Sequence, residues 1–167
     1  ESLALLQALG LPTIVVYGAG PQLDQRLASA GFEEKRVDGL RYTPEKAMPL
    51  VAAAAGQMGH DLSAAMRRFD GAGMVVHPGT VHVSQIDAER YGMVGQVDHV
   101  DKNALSQLVA AGAVPLVSCV HPDKTGQLLN VNADGVARAI AKALRPQKIV
   151  FLTGTGGILD EKGDVIS

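Results

Sequence analysis

Helix and strand signals alternate along this chain, and that alternation limits the fold more than any single motif does. Thr13-Ile14-Val15-Val16-Tyr17 is a short β-branched run and reads as a buried parallel strand. Before it, Leu3, Leu6 and Leu9, with Gly10 after them, read as the last turns of an amphipathic helix. Gly18-Ala19-Gly20 follows the strand. Pro21 then opens a helix with Leu23, Leu27 and Ala30 on one face, ended by Gly31. Thr43-Pro44-Glu45 reads as a cap and a helix start, and helical spacing continues to about Phe69. Pro49 and Gly56 are expected to bend or interrupt that helix. After the Pro78-Gly79 turn, Val81 and Val83 alternate with Thr80, His82 and Ser84, so the stretch from Met74 to Val100 predicts strands or hairpins at the sheet margin.

The second half repeats the pattern. Asp101 caps a helix carrying Leu105, Leu108 and Val109, with Gly112 past its end. Residues 114–120 predict the next strand, with Pro115 near its start. Lys124-Thr125-Gly126 is a turn, and Val136, Ile140 and Leu144 mark another amphipathic helix. Ile149-Val150-Phe151-Leu152 reads as a further core strand, followed by a hairpin-like run from Leu159 to Val165. Alternation of this kind predicts the α/β class: a three-layer αβα sandwich with a mainly parallel sheet. It reads as incomplete at both ends. No Met precedes Glu1, and Asp164-Val165-Ile166-Ser167 reads as a strand cut short.

Composition excludes several function classes. Hydrophobic residues make up 47% of the 167, enough for a packed core, while aromatics are 4% with no Trp, so Ala, Val and Leu must fill it. A net charge of −2 with interspersed signs gives no basic arm, so no nucleic-acid partner is expected. No apolar run approaches the roughly 18 residues of a membrane span, and no secretory signal is visible. Cys119 lies alone in an apolar run and reads as a buried structural thiol in a reduced compartment. His60, His77, His82, His99 and His121 are scattered without ligand spacing, which predicts surface or rim positions and no metal site. The Met residues partly follow helical spacing and read as core filler.

Ligands of open α/β sheets bind beyond the carboxyl ends of the strands. Three polar or Gly-rich segments fall there. Asn130-Val131-Asn132-Ala133-Asp134 places two amides and a carboxylate at every second position just before a helix. In extended backbone those groups point to one side, close to a helix N-terminus with its free N–H donors and positive dipole end. The plainer reading is a helix cap, but a cap needs one such residue, and three in register favour a site for a small anionic ligand bearing an amide. Gly18-Ala19-Gly20 can form an anion-binding nest or a tight turn. It is no dinucleotide fingerprint, because Leu23 stands where the third Gly belongs, and no Walker loop, because no Gly-Lys-Ser/Thr follows. The hydroxyls and bare N–H groups of Thr153-Gly154-Thr155-Gly156-Gly157 suit a nucleotide phosphate or its Mg²⁺ shell, or else a flexible loop. Arg41, just before the Thr43 cap, can grip a carboxylate with two N–H groups or simply face solvent.

Taken together, these segments resemble the N-acetylglutamate kinases of the amino-acid kinase superfamily. The matching pieces are Ile14-Val15-Val16-Tyr17-Gly18-Ala19-Gly20-Pro21-Gln22, Gly39-Leu40-Arg41-Tyr42-Thr43, Tyr91-Gly92-Met93-Val94-Gly95, Gly126 through Asp134, and Ile149 through Gly157. They run in family order over nearly the whole chain. Their wording is most similar to bifunctional N-acetylglutamate synthase/kinases and fungal mitochondrial kinases. The resemblance implies ATP- and Mg²⁺-dependent phosphorylation of the γ-carboxylate of N-acetyl-L-glutamate in arginine biosynthesis, in a homo-oligomer of the cytoplasm, or of the mitochondrial matrix if the source is fungal. It implies an acetylglutamate-binding part up to about residue 125 and the start of a nucleotide-binding part after it.

Roles carry over by motif position. Gly18, Ala19 and Gly20 would meet the substrate and the transferring phosphoryl group through backbone N–H, and Arg41 would bind a substrate carboxylate. Asn130 and Asn132 would hold the acetylglutamate backbone groups, and Asp134 would orient the family's lysines. Thr153, Gly154, Thr155, Gly156 and Gly157 would lie on the nucleotide side. Those lysines would fall before Glu1 and beyond Ser167, so weak binding without turnover is expected of these residues alone. Tyr17 stands where the family usually has His, and Gly154 where many members have Asp. The alternatives are the regulatory kinase-like domain of an N-acetylglutamate synthase, a relative acting on aspartate, carbamate or UMP, and a structural module. The Gly-Leu-Arg context of Arg41 argues against the second, and the polar register before the helix against the third.

Overall fold

The computed structural model describes residues 1–152, 157, 160, 164 and 165. In chain order the elements are α1 (Ser2–Ala8), β1 (Val15–Val16), α2 (Gly20–Ser29), β2 (Arg36–Val37), β3 (Leu40–Arg41), a 3₁₀ turn (Glu45–Ala47) and α3 (Met48–Arg67). Then come β4 (Gly73–Val75), a second 3₁₀ turn (Pro78–Thr80), β5 (Val81–Gln85), α4 (Ala88–Tyr91), β6 (Val94–Val100) and α5 (Lys102–Ala110). Last are β7 (Val114–Val117), β8 (Val120–Pro122), β9 (Leu128–Val131) and α6 (Ala133–Leu144).

A parallel sheet of order β1-β7-β4 forms the centre. Beside it lies a sheet of order β5-β6-β9-β8, in which only β6 and β9 run parallel. The pair β2-β3 is a separate hairpin. Buried side chains show why the layers form. Met66, Val114 and Leu116 pack together on the side of α3, while Val117 joins Val136 and Ile140 of α6 and Leu105 of α5. Successive residues of β7 thus feed opposite helix layers, as the two-residue period of a strand demands. Pro115 has no N–H to donate, and the ladder to β1 begins just past it, with Val15 opposite Leu116.

Cys119 is the seam between the two sheets. Its thiol donates to the Tyr17 carbonyl at 2.9 Å, and its own carbonyl accepts from Val131 N–H at 2.8 Å. The expected buried, structural thiol is what the fold contains.

Several sequence expectations need correction. The helix from Met48 to Arg67 is continuous. Pro49 sits in its first turn, where no N–H is missed. Gly56 costs only about 1 kcal/mol there, against the burial of Val51, Ala54, Ala55 and Met66. The helix needs another glycine more: a Cβ at Gly59 would run into the Tyr17 hydroxyl. Met74 lies in β4, at the margin of the parallel sheet as expected, but it is half-exposed rather than core. Ala30 lies past α2 and is exposed. Ile149, Val150, Phe151 and Leu152 form no strand and are exposed, Leu152 at 94%. An apolar run becomes a strand only beside a ladder partner, and none of the described strands pairs with it. Most of the 159–165 hairpin lies outside the described residues, although Asp160 N–H does donate to the Asp164 carbonyl at 2.8 Å.

His121 is the other exception. It is buried, with Nδ1 2.9 Å from the Pro78 carbonyl and Nε2 2.8 Å from the Ser118 carbonyl. Burial holds its pKa below the usual imidazole range, against the pull of those two carbonyls.

Leu116 is fully buried in the central strand, so Leu116→Ala is expected to lower unfolding free energy by about 2–5 kcal/mol in urea. Leu9→Ala, at an exposed position, should cost no more than about 0.5 kcal/mol. Equal effects would contradict the assigned core. A pH test addresses the seam. Burial, with the Asp134 carboxylate adding to it, pushes the Cys119 thiol up to about 12, whereas an unfolded thiol ionises near about 8.5. As pH rises the unfolded chain gives up its proton first, so this stability is whole below about 8.5 and is lost between about 8.5 and 12. Wild type should therefore lose about 2 kcal/mol more than Cys119→Ala between pH 7 and 10. A difference that does not vary with pH would show the thiol in contact with water.

Candidate functional site

The turn Gly18-Ala19-Gly20 delivers the chain from β1 into α2. No side chain caps α2, whose N-cap is Ala19, so its first N–H groups have no side-chain acceptor. A Cβ added at Gly20 would meet nothing within 4 Å, which leaves open space beside that helix end. A Cβ at Gly18 would come within 3.8 Å of Ala133 Cβ and 3.9 Å of Cys119 Sγ. The beginning of α6 therefore lies beside the glycine turn, with room for about one methyl group between them.

Residues 130–134 do not form one extended register, because the helix starts at Ala133. Asn132 is the N-cap of α6, its side-chain oxygen accepting from Asp134 N–H at 3.3 Å. The cap reading holds for Asn132. Asp134 lies in the first turn of α6, where a carboxylate suits the positive dipole end. Its charge reaches Cys119 and raises that thiol's pKa. Asn130 sits in β9 between Val94 of β6 and Val120 of β8, and its side-chain NH₂ donates to Thr43 Oγ1 at 3.0 Å.

Thr43 is the residue that the sequence reading misplaced. It is not a helix cap, since the N-cap of the following 3₁₀ turn is Pro44 with no side-chain bond. It is buried, at 1% exposure. Its N–H donates to the Tyr91 carbonyl at 3.1 Å, and its carbonyl accepts from Met93 N–H at 2.7 Å. Its hydroxyl donates to the Arg41 carbonyl at 3.1 Å. Gly92 allows this crossing: it has φ of 71°, and any Cβ there would strike the Thr43 carbonyl oxygen. The signal available in sequence was weak, because a Thr before Pro is predicted only to be extended.

Arg41 ends the β2-β3 hairpin. Its side chain is 10% exposed and pairs with Asp24 of α2, so it is not a free surface Arg. The same hairpin is held from its other end, where Asp38 pairs with Arg90 at 2.7 Å and accepts from the Tyr91 hydroxyl. The contacts close a ring. Gly18 lies beside Ala133, next to the Asn132 cap. Asn130 reaches Thr43, Thr43 reaches the backbone of Arg41, and Arg41 reaches the helix that Gly20 begins. A guanidinium, an amide and an uncapped helix N-terminus on one rim suit a small carboxylate or phosphoryl oxygens.

Thr153, Gly154, Thr155 and Gly156 lie outside the described residues. Gly157 is described, and a Cβ there would collide with Val165. Among the described residues no group of three or more His, Cys, Asp or Glu could hold a metal ion. Two clefts lie elsewhere. One, of about 510 Å³, is lined by Glu45, Met48, Pro49 and residues 125–128. The other runs along β6, α5 and α6. None of the sequence-predicted site residues lines either.

Comparison with known proteins gives the family. The amino acid kinase family model matches residues 1–167. The chain is 37% identical over 167 residues to an acetylglutamate kinase of Xylella fastidiosa, covering all of this chain and 40% of that protein. It is 34% identical over 160 residues to the mitochondrial protein arg11 of Schizosaccharomyces pombe, covering 96% of this chain and 18% of that one. Among solved structures, the N-acetylglutamate synthase of Neisseria gonorrhoeae, complexed with coenzyme A and N-acetyl-glutamate, superposes with a TM-score of 0.82 at 25% identity. That match covers 96% of this chain and 39% of the synthase. The chain thus spans about 40% of the length of the Xylella kinase, and over that whole span it belongs to the amino acid kinase family.

Proposed function

We propose that this chain is the substrate-binding part of a kinase that phosphorylates the γ-carboxylate of N-acetyl-L-glutamate in arginine biosynthesis, with ATP as donor. The observation that supports the reading is the run of contacts that links Asn130 through Thr43 and Arg41 to α2, the helix that the glycine turn begins. Arg41 takes a substrate carboxylate. Asn130 and Asn132 hold the acetylamino backbone. The N–H groups of Gly18, Ala19 and Gly20 face the γ-carboxylate and the phosphoryl group.

Phosphoryl transfer asks little covalent chemistry of a protein. It asks for alignment and for charge stabilisation at the equatorial oxygens. Backbone donors at the uncapped end of α2 supply part of that charge. Asp134 orients the cations that complete it. ATP supplies the phosphoryl group, on the side of residues 153–157. Mg²⁺ arrives with the nucleotide, since it prefers phosphates and water to an all-protein cage. The working protein is a homo-oligomer of the cytoplasm, or of the mitochondrial matrix if its source is fungal. Among the described residues no helix is long and apolar enough to cross a membrane.

The likeness to the gonococcal synthase supports a second reading, in which this is the regulatory kinase-like domain of an acetyl-transferring enzyme. The two part on catalysis: a kinase transfers phosphate from ATP to the bound acetylglutamate, and the regulatory domain does not.

Calorimetric titration of the native protein with N-acetyl-L-glutamate, L-glutamate and L-aspartate checks the binding claim. Acetylglutamate should bind most tightly, and Arg41→Ala should weaken it about 10- to 100-fold, the worth of a charged hydrogen bond. Equal affinity for all three ligands would end the proposal.

A further inference from the structure

We propose that Thr43 is a positioning residue that fixes which end of the Asn130 side-chain amide faces the ligand. The inference rests on the functional reading above and sharpens it. A threonine hydroxyl carries one proton. Thr43 Oγ1 lies 3.1 Å from the Arg41 carbonyl, which can only accept, so the proton is committed there. Toward Asn130, 3.0 Å away, the hydroxyl then offers only lone pairs, and the amide must meet it with its NH₂ group. That leaves Asn130 Oδ1 turned away from Thr43. Among the described residues no group bonds Oδ1, and Asn130 is only partly buried.

The hydroxyl cannot easily swing to the other arrangement. Thr43 is buried and held on both sides of its backbone, by Tyr91 and by Met93. The close crossing at Gly92 fixes the same segment. Asn130 therefore presents a preset acceptor on the rim where Arg41 presents donors. A carboxylate with an N–H beside it satisfies both. The chemical class is an acylated amino acid, read at its N–H by Asn130 and at its carboxylate by Arg41. A ligand with an oxygen in place of that N–H sets a lone pair against Oδ1 and is rejected.

The test compares N-acetyl-L-glutamate with 2-acetoxyglutarate, the ester analogue of nearly the same shape without the N–H. Calorimetry on the native protein should show at least about a tenfold preference for the amide, the effect of leaving one acceptor unpaired. Thr43→Val should shrink that preference several-fold by weakening the analogue less than the amide, and Thr43→Ser should restore it. A merely structural role for Thr43 would shift both ligands equally in Thr43→Val, and that result would overturn the proposal. So would equal affinity of wild type for the two ligands, a measurement that needs no variant to fold. Binding of neither ligand by wild type would instead remove the functional reading, and this inference with it.

Discussion

The arrangement of this protein depends on a close meeting of three small residues, Gly18, Cys119 and Ala133. There the carboxyl end of β1, the seam between the sheets and the first turn of α6 approach so closely that one added methyl group at Gly18 would touch both neighbours. Larger side chains at the seam would push α6 away from the glycine turn. The thiol serves because it is small, buried and able to donate to the Tyr17 carbonyl. With that contact in place, two helix N-termini, those of α2 and α6, converge on one edge of the fold. Their dipoles, and the N–H groups of α2 that no side chain caps, make that edge favourable for negative charge.

A second constraint works through backbone. Thr43 is fixed between Tyr91 and Met93, so the Arg41 hairpin and the β6-β9 ladder share one anchor. The hairpin is tied again by Asp38 to α4 and by Arg41 to α2. Ion pairs at partly exposed positions add little stability on their own. Their effect here is geometric, since each removes a direction in which the guanidinium could wander. Holding polar groups in place before a ligand arrives lowers the ordering cost of binding.

Much of this was legible in the sequence, and the residues show why. The run around Val15, the Asp101 cap and the 114–117 strand carry local signals: β-branching, a capping carboxylate, an apolar stretch bounded by turns. Leu23 and Leu27 gave the buried face of α2 by period alone. What failed depends on partners distant in sequence. Thr43 reads as a cap because Thr-Pro-Glu has that local chemistry; its burial is decided by Gly92 and Asn130. His121 has no local mark of burial, and one of its two carbonyl partners, Pro78, lies 43 residues away. The apolar run at 149–152 satisfies every local rule for a strand and still pairs with none of the described strands, because a strand is a property of two segments. The 130–134 register fails for the opposite reason: the helix already begins at Ala133, and Asn132 is its cap.

Whether the edge formed by the glycine turn is where a ligand sits can be measured directly. Backbone amide shifts of ¹⁵N-labelled protein, followed during addition of N-acetyl-L-glutamate, report the site residue by residue. The largest changes are expected at Gly18, Ala19, Gly20 and Arg41 and across residues 130–134, with Glu45 and residues 125–128 nearly still. Shifts gathered instead around Glu45 and Gln127, with the glycine turn unmoved, would place binding in the other cleft and contradict the site described above.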